Sequence, residues 1–142
     1  MSTVRDMLRK KGSEVYSVTA NETVYDALEM MAKHNTGAVL VMSDNKVEGI
    51  VSERDCVRKV DLVGKSAMTT KVSEIMTARV ISVEASQDLE ECMNLMIDNN
   101  IRHLPVYDGA KLMGLISVRD VLKEVVDYQK SLIVQLEQYI KG

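Results

Sequence analysis

Residues 49–55 read Gly-Ile-Val-Ser-Glu-Arg-Asp, and the pattern returns at residues 114–120 as Gly-Leu-Ile-Ser-Val-Arg-Asp. The likeness extends outward from this motif, because a shift of 65 positions aligns residues 15–60 with residues 80–125 without a gap. Thirteen of the 46 pairs are identical, whereas average residue usage would produce roughly three. The chain therefore consists of two copies of one structural unit, with a short leader and a C-terminal tail.

Each copy is predicted to contain three short strands. β-Branched runs at residues 15–18 and 80–83 predict the first strand. Two apolar segments separated by turn residues then predict a β-hairpin, because such turns reverse the chain between paired strands. The hairpin segments are residues 38–42 with 47–51 in the first copy and 103–107 with 112–116 in the second.

Two helices accompany these strands in each copy. After the first strand, apolar residues recur with the i, i+3, i+4, i+7, i+8 spacing of one helix face. The stripes are Val24, Ala27, Leu28, Met31 and Ala32 in the first copy, and Leu89, Cys92, Met93, Met96 and Ile97 in the second. Asn21 and Ser86 are the predicted N-caps. A further helix begins near Ser52 or Ser117, and the later one is predicted to continue to Gly142.

The order of elements, β-α-β-β-α in each copy, predicts an α+β fold whose sheets are covered by helices. Short helical segments are expected before each copy, at residues 3–8 and 72–76. The stretch between the copies, residues 61–71, has few periodic apolar positions and is predicted to be a linker.

Composition and charge exclude several functional classes. The 142 residues suit one domain, and 18 basic against 21 acidic residues give a net charge of −3. Neither nucleic acid nor an anionic membrane is therefore an expected partner. No apolar run approaches the ~20 residues of a membrane helix. The N-terminus also lacks the apolar region of a secretory signal, so a cytoplasmic location is expected.

Cysteines and histidines are too few and too scattered to predict a metal site or a disulfide scaffold. Cys56 and Cys92 are predicted to be small core residues, because neither has a His nearby in sequence to activate it. His34 is predicted to be solvated at a helix C-terminus, whereas for His103 ligand contact and a structural role are equally open. No catalytic residue is predicted.

Two interpretations of the repeated motif are open. A Ser followed three residues later by an Asp forms a capping box that needs no ligand. The same helix N-terminus also offers N–H donors and partial positive charge to a phosphate, and the Arg adds charge nearby. The Asp repels phosphate but accepts hydrogen bonds from both hydroxyls of a ribose. The residues concerned are Ser52, Arg54 and Asp55 in the first copy and Ser117, Arg119 and Asp120 in the second.

The chain resembles the cystathionine-β-synthase (CBS) domain family in both motifs, in Ile75-Met76-Thr77, and in Asn100-Ile101-Arg102-His103-Leu104-Pro105-Val106. The resemblance runs from Val4 to Val126 and describes a tandem pair, a Bateman module, packed by pseudo-twofold symmetry. It is similar to the regulatory module of inosine-monophosphate dehydrogenases, without the ~250 residues of their catalytic barrel. The implied domains are 4–60 (CBS repeat 1), 61–71 (linker), 72–126 (CBS repeat 2) and 127–142 (C-terminal helical extension).

The resemblance implies a regulatory sensor that binds an adenosine-containing ligand (AMP, ADP, ATP, NAD or S-adenosylmethionine) in clefts between the repeats. Asp55 and Asp120 would hold ribose hydroxyls, while the Ser and Arg residues of both motifs would contact phosphate. Base or cleft contacts are implied for Val15, Tyr16, Gly37, Ala38, Thr77, Val80, Ile81, Arg102, His103, Leu104 and Pro105. Binding would rearrange the repeats and signal to an effector protein. No catalytic cofactor is implied.

The ends of the chain carry two further expectations. Arg9-Lys10-Lys11, the one basic run, is predicted to be a solvated face or to border the first cleft. The apolar stripe of the tail is predicted either to fold back on its own sheet or to pack on a second chain of the same sequence. The second alternative is favoured, so a homodimer is expected. The alternative to a ligand sensor is a structural dimerisation or docking module that keeps its motifs only as helix caps.

Overall fold

The computed structural model describes residues 2–142, which form six helices, six strands and one 3₁₀ turn at Asp61–Val63. The helices are α1 (Val4–Lys11), α2 (Val24–His34), α3 (Glu53–Lys59), α4 (Val72–Ile75), α5 (Leu89–Asp98) and α6 (Val118–Lys141). The strands are β1 (Ser17–Val18), β2 (Ala38–Ser43), β3 (Lys46–Ser52), β4 (Val83–Glu84), β5 (His103–Asp108) and β6 (Lys111–Ser117).

Each copy forms one three-stranded sheet, in the order β1-β2-β3 and β4-β5-β6. The first strand runs parallel to the second, which pairs antiparallel with the third, so both predicted hairpins are confirmed. The first strands are shorter than predicted, because only two backbone positions of each lie alongside the next strand. The two sheets, their helices and the 24-residue α6 confirm the α+β class.

The predicted N-caps Asn21 and Ser86 are wrong by two residues, since both lie in the turn that precedes the helix. Thr23 caps α2 instead, and Asp88 caps α5. Thr23 forms a capping box with Asp26, which satisfies two N–H groups at once. A capping box stabilises a helix N-terminus more than a single polar side chain does, and it therefore determines the residue at which α2 begins.

Both apolar stripes are buried as predicted except at their C-terminal ends. Ala32 and Ile97, in the last turns of α2 and α5, are exposed. The fully buried members belong to two separate cores, one for each sheet. They are Val24, Ala27 and Met31 in one core, and Leu89, Cys92 and Met96 in the other.

The chain divides into two compact units. The first unit is Val15–Val80, and the second combines the residues up to Glu14 with Ile81–Gly142. Helix α1 therefore belongs to the second unit although it precedes the first copy in sequence. Its buried side chains, Val4, Met7 and Leu8, join the core formed by α5, β5 and β6.

Helix α4 makes the reciprocal exchange, because it precedes the second copy but packs in the first unit. Val72 and Ile75 are buried in the first core. Immediately after α4, Thr77 exchanges two backbone hydrogen bonds with Ile50 of β3, at 2.9 and 3.0 Å. The compact units are thus cut differently from the domain ranges drawn along the sequence.

The glycine that opens each motif lies against one of these exchanged segments, and the two contacts differ. A Cβ on Gly49 would lie 2.8 Å from Met76 Sδ and 2.9 Å from the carbonyl oxygen of Thr77, which is held in its bridge to β3. A Cβ on Gly114 would meet Leu8 Cδ2 at 3.0 Å, the end of a flexible side chain, while Ser13 Cα would lie at an ordinary contact distance of 3.9 Å.

We therefore expect Gly49→Ala to lower the free energy of unfolding by about 1–3 kcal/mol, because backbone must shift to admit the methyl group. Gly114→Ala should cost less than about 1 kcal/mol, since Leu8 can change rotamer. Urea unfolding followed by far-UV circular dichroism measures both. Equal losses, or a larger loss at Gly114, would contradict this explanation.

Candidate functional site

In the first unit, predicted site residues converge at one edge of the sheet. The parallel strands β1 and β2 start side by side, and β3 ends beside the start of β2, where Ala38 pairs with Ser52. The N–H of Glu53 donates to the Gly37 carbonyl oxygen at 2.9 Å. The Leu40 N–H donates to the Tyr16 carbonyl oxygen at 3.2 Å. We call this end of the sheet the first-unit edge.

The second unit has a matching second-unit edge, where β5 begins and β6 ends. His103 pairs with Ser117, and the Val118 N–H donates to the Arg102 carbonyl oxygen at 2.9 Å. Leu104 and Pro105 are buried, as is Ala38 in the first unit, so these three residues have little surface accessible to a ligand.

Thr77 and Val80 do not join the second-unit edge, although they precede the second copy in sequence. Both lie in the first unit, because α4 packs there and carries them with it. Only Ile81 of the Val80-Ile81 pair belongs to the second unit, where it packs on the core. Thr77 therefore lies beside β3, at the first-unit edge.

Both motifs form the predicted capping box. The Asp55 N–H donates to Ser52 Oγ at 3.2 Å, and Asp55 Oδ2 accepts the Ser52 N–H at 3.0 Å. The matching distances between Ser117 and Asp120 are 3.1 and 2.8 Å. Thr3–Asp6 and Thr23–Asp26 form the same box on α1 and α2. The box alone therefore does not mark a ligand site, and the surroundings of each Asp become decisive.

Around Asp55, both carboxylate oxygens are engaged. Oδ2 accepts hydrogen bonds from the N–H and the hydroxyl of Ser52, while Oδ1 lies 3.2 Å from Lys59 Nζ, one turn along α3. Lys59 Nζ also donates to the Ile75 carbonyl oxygen at 3.0 Å. This carboxylate is already satisfied within the first unit.

Around Asp120, the cation comes from the leader instead. Lys11 Nζ lies 2.6 Å from Asp120 Oδ2 and also donates to the Leu115 carbonyl oxygen at 2.5 Å. The hydrogen bonds that this carboxylate accepts from Lys11 and from the Ser117 N–H both end on Oδ2. The hydrogen bond from the leader and the one from the capping box therefore share one carboxylate oxygen.

Opposing effects set the charge of Asp120. Burial alone would raise its pKa, but the hydrogen bond from Lys11, followed by that from the Ser117 N–H, outweighs burial and leaves the pKa below its ordinary value. The carboxylate is therefore ionised at neutral pH, as an acceptor of ribose hydroxyls must be.

The basic run of the leader lies against α6. Lys10 Nζ contacts Oε1 of Glu124 at 2.8 Å, and the Glu124 side chain is only 8% exposed. The side-chain hydrogen bond to Glu124 raises the pKa of Lys10. Arg9 forms an ion pair within α1, with Asp6. Lys10 and Lys11 therefore contact the second repeat of the same chain. The sequence had suggested instead a solvated face or a position at the border of the first cleft.

His103 is half-buried at the start of β5. Burial, followed by the positive charge of Lys11, lowers the pKa of the ring to about 4 against the opposing effect of Asp120. The imidazole is thus neutral at pH 7 and close enough to Lys11 and Asp120 to sense both charges. A neutral ring at this place is a suitable neighbour for a nucleobase.

His34 is not the solvated residue that the sequence predicted. It is half-buried, and its ring stacks on Tyr16 with the ring centroids 3.6 Å apart and an angle of 10° between the planes. One face of Tyr16, the only aromatic ring predicted near a base, is therefore covered from within the first unit.

The two cysteines are core residues, as predicted. Cys56 and Cys92 are both buried, and burial raises the pKa of each thiol to about 11, far from the thiolate form that a nucleophile needs. Between Ser2 and Gly142, no group of three or more His, Cys, Asp or Glu residues is placed to hold a metal ion. No helix in the described chain is both long and apolar enough to span a membrane.

Comparison with known proteins identifies the family. The model of the CBS domain matches residues 4–62 and 72–127, so the chain belongs to the CBS domain family. It is 35% identical over 150 residues to the mitochondrial CBS domain-containing protein CBSX3 of Arabidopsis thaliana, covering 99% of this chain and 73% of that protein. Inosine-5'-monophosphate dehydrogenase of Methanocaldococcus jannaschii is 31% identical over 112 residues, which are 78% of this chain but 21% of that enzyme.

Solved structures share the architecture. A protein with CBS domains from Burkholderia ambifaria MC40-6 has a TM-score of 0.86 and 48% identity, over 89% of this chain and 95% of that one. The CBS domain pair of protein MJ0100, in complex with 5'-methylthioadenosine and S-adenosyl-L-methionine, has a TM-score of 0.77 over 90% and 98% of the two chains. Its identity of 21% shows a common fold alone. The predicted resemblance to a tandem CBS pair is confirmed.

Because the pKa of His103 is lowered in the folded state, the free energy of unfolding should depend on pH. Because the folded state holds the ring neutral while the unfolded chain protonates it near pH 6.5, stability is complete above about pH 6.5 and falls as the pH approaches 4. The loss should amount to at most about 3 kcal/mol. Urea unfolding at pH 7 and pH 4.5 should show a smaller difference for His103→Gln than for the natural chain. An unchanged difference would show that other groups cause it.

Proposed function

We propose that this chain is a regulatory module that binds an adenosine-containing ligand and reports its presence to an effector protein. One observation carries the proposal: at the second-unit edge, the ionised carboxylate of Asp120 lies beside the ammonium group of Lys11, whose Nζ is 2.6 Å from Oδ2. An ionised carboxylate beside an ammonium group suits a ribose with a phosphate attached.

The other groups at this edge support the same ligand. Ser117 lies at the N-terminus of α6, a 24-residue helix whose dipole favours an anion. Arg119, the next residue but one, is exposed and adds positive charge there. His103, neutral at pH 7, provides an uncharged surface for the base. Of the ligands that the family resemblance implies, Lys11 favours AMP, ADP, ATP and NAD over the cationic S-adenosylmethionine.

We further propose that the second-unit edge binds more tightly than the first-unit edge. Lys59 already occupies one acceptor position on Oδ1 of Asp55, whereas the hydrogen bonds to Asp120 from Lys11 and from the Ser117 N–H both lie on Oδ2. Arg54 is half-buried, unlike Arg119. The protein MJ0100 holds two adenosine compounds on the same fold, which supports adenosine binding in general.

The signal is proposed to start at Lys11. A ligand phosphate competes with Asp120 for its ammonium group, and Lys11 is the last residue of α1. Binding would thereby change how the leader is held on the second unit, and an effector reads that change. We propose a non-catalytic role, a cytoplasmic location and a homodimer, whose interface is considered below.

A thermal-shift panel tests the binding proposal. AMP, ATP or NAD at a hundredfold excess over Kd should add about 2.7 kcal/mol of apparent stability if only the folded state binds. For a chain of this size, that corresponds to a rise in Tm of about 5–10 °C. S-adenosylmethionine should produce a smaller shift. No shift with any of the four at millimolar concentration would overturn the proposal.

Substitution of the carboxylates tests the site. Asp120→Asn removes the charge but keeps the shape, and should weaken nucleotide binding by about 1.5–3 kcal/mol in isothermal titration calorimetry. Asp55→Asn should weaken nucleotide binding at the second-unit edge, the tighter of the two proposed sites, by a smaller amount. Asp26→Asn is the matched control, because Asp26 occupies the same position in a capping box away from both edges. If Asp26→Asn and Asp120→Asn weaken binding equally, Asp120 acts only as a cap.

A ligand-independent dimerisation or docking module is the second candidate, favoured by the exposed apolar side chains of α6. That function requires the motifs only as helix caps. It predicts a dimer whose thermal stability and association are the same with and without nucleotide, so the thermal-shift panel separates the two candidates.

A further inference from the structure

Helix α6 carries apolar side chains that its own unit does not cover. Its buried residues are Val121 and Glu124, both within the first two turns. From residue 129 to the end of the helix every side chain is exposed, and Tyr139 and Ile140 are 85% and 82% exposed. An exposed apolar surface of this extent along one helix marks an interaction site.

The exposed side chains follow the spacing of a coiled coil. Six of them are separated by 4, 3, 4, 3 and 4 residues, which keeps a seam facing a second helix. This seam consists of Leu122, Val126, Gln129, Ile133, Leu136 and Ile140. Its β-branched and Leu positions alternate around a single polar residue, Gln129. We infer that α6 pairs with the α6 of a second copy of this chain, in antiparallel orientation.

The residues that flank the seam determine the orientation. One flank carries Lys123, Lys130 and Glu137, and the other carries Val125, Leu132 and Tyr139. In an antiparallel pair each flank meets its own counterpart. If the twofold axis passes at the level of Ser131, the nearest residue of the partner on the same flank is the partner's Glu137 for Lys123 and the partner's Tyr139 for Val125.

A parallel pair would join unlike flanks. Lys130 would then face the partner's Val125, and Glu137 would face the partner's Leu132, so that charges would be pressed against apolar side chains. The antiparallel pair instead forms two Lys–Glu contacts and extends the apolar seam on its other side. Its cost is one contact between Lys130 and the partner's Lys130 at the axis, where both ammonium groups remain exposed to water.

A membrane surface suits this helix less well. Helices that lie on anionic membranes carry an excess of Lys and Arg on the polar face. The polar positions of α6 after Glu124 include Asp127 and Glu137 as well as Lys130 and Lys141. The surface of α6 is also complementary to itself, as the twofold symmetry of a homodimer requires.

Sedimentation equilibrium on the full chain, over a range of concentrations, tests the seam. Ile133→Glu should weaken the dimer at least about tenfold, because a carboxylate would be buried among apolar side chains. Val134→Glu is the matched control: it is the next residue, with nearly the same exposure (51% against 54%), but it lies outside the seam. Val134→Glu should change the dissociation constant less than about twofold.

Two further measurements test the orientation. Lys123→Glu should weaken the dimer, and adding Glu137→Lys should restore it. Leu122→Cys and Ile140→Cys chains, mixed and oxidised, should form a disulfide-linked heterodimer, since the native thiols of Cys56 and Cys92 are buried. Neither variant should cross-link strongly alone. Efficient self-linking of Leu122→Cys would show a parallel pair and overturn the antiparallel one.

This inference deepens the homodimer that the proposed function includes, and it does not depend on ligand binding. A dimer that survives Ile133→Glu would overturn the helix pairing but leave the homodimer standing. A chain that is monomeric at every concentration would overturn both. The thermal-shift panel decides ligand binding independently of either outcome. Unchanged circular dichroism of each variant confirms that the units remain folded.

Discussion

Packing of α1 on the second copy is the interaction on which the rest of the second unit depends. A three-stranded sheet with only two helices of its own leaves apolar surface uncovered, and Val4, Met7 and Leu8 cover it from the opposite end of the sequence. Helix α4 does the same for the first unit with Val72 and Ile75. Neither copy therefore completes its core from its own β-α-β-β-α segment.

The exchange of leaders also determines the chemistry of the two edges. Because α1 ends beside β6, Lys11 meets Asp120 and Lys10 meets Glu124. In the first unit the cation that meets Asp55 comes from one turn along its own helix. Two motifs that are nearly identical in sequence thus have different electrostatic surroundings.

Much of the fold was predictable because its signals are local. Both hairpins, both amphipathic helices and the long α6 follow from apolar spacing and turn residues that act within a few positions of each other. The predicted N-caps failed where two polar candidates lay within three residues of each other, and the capping box of Thr23 with Asp26 stabilised the later start. Among the site residues, the pairing of β5 with β6 brings His103 beside Ser117, as their places in the repeat had indicated.

The sequence by itself determined the repeat, the order of elements and the family, since each depends on residue types at short, regular spacing. Only the tertiary structure decided in which of the two cores α1 and α4 are buried. That choice placed Thr77 and Val80 in the first unit and Lys11 against Asp120. The physical reason is that the apolar face of an amphipathic helix predicts that the helix will be buried, but it does not predict against which surface. The receiving surface is assembled from strands and helices far away in the chain, and its shape exists only once they have packed.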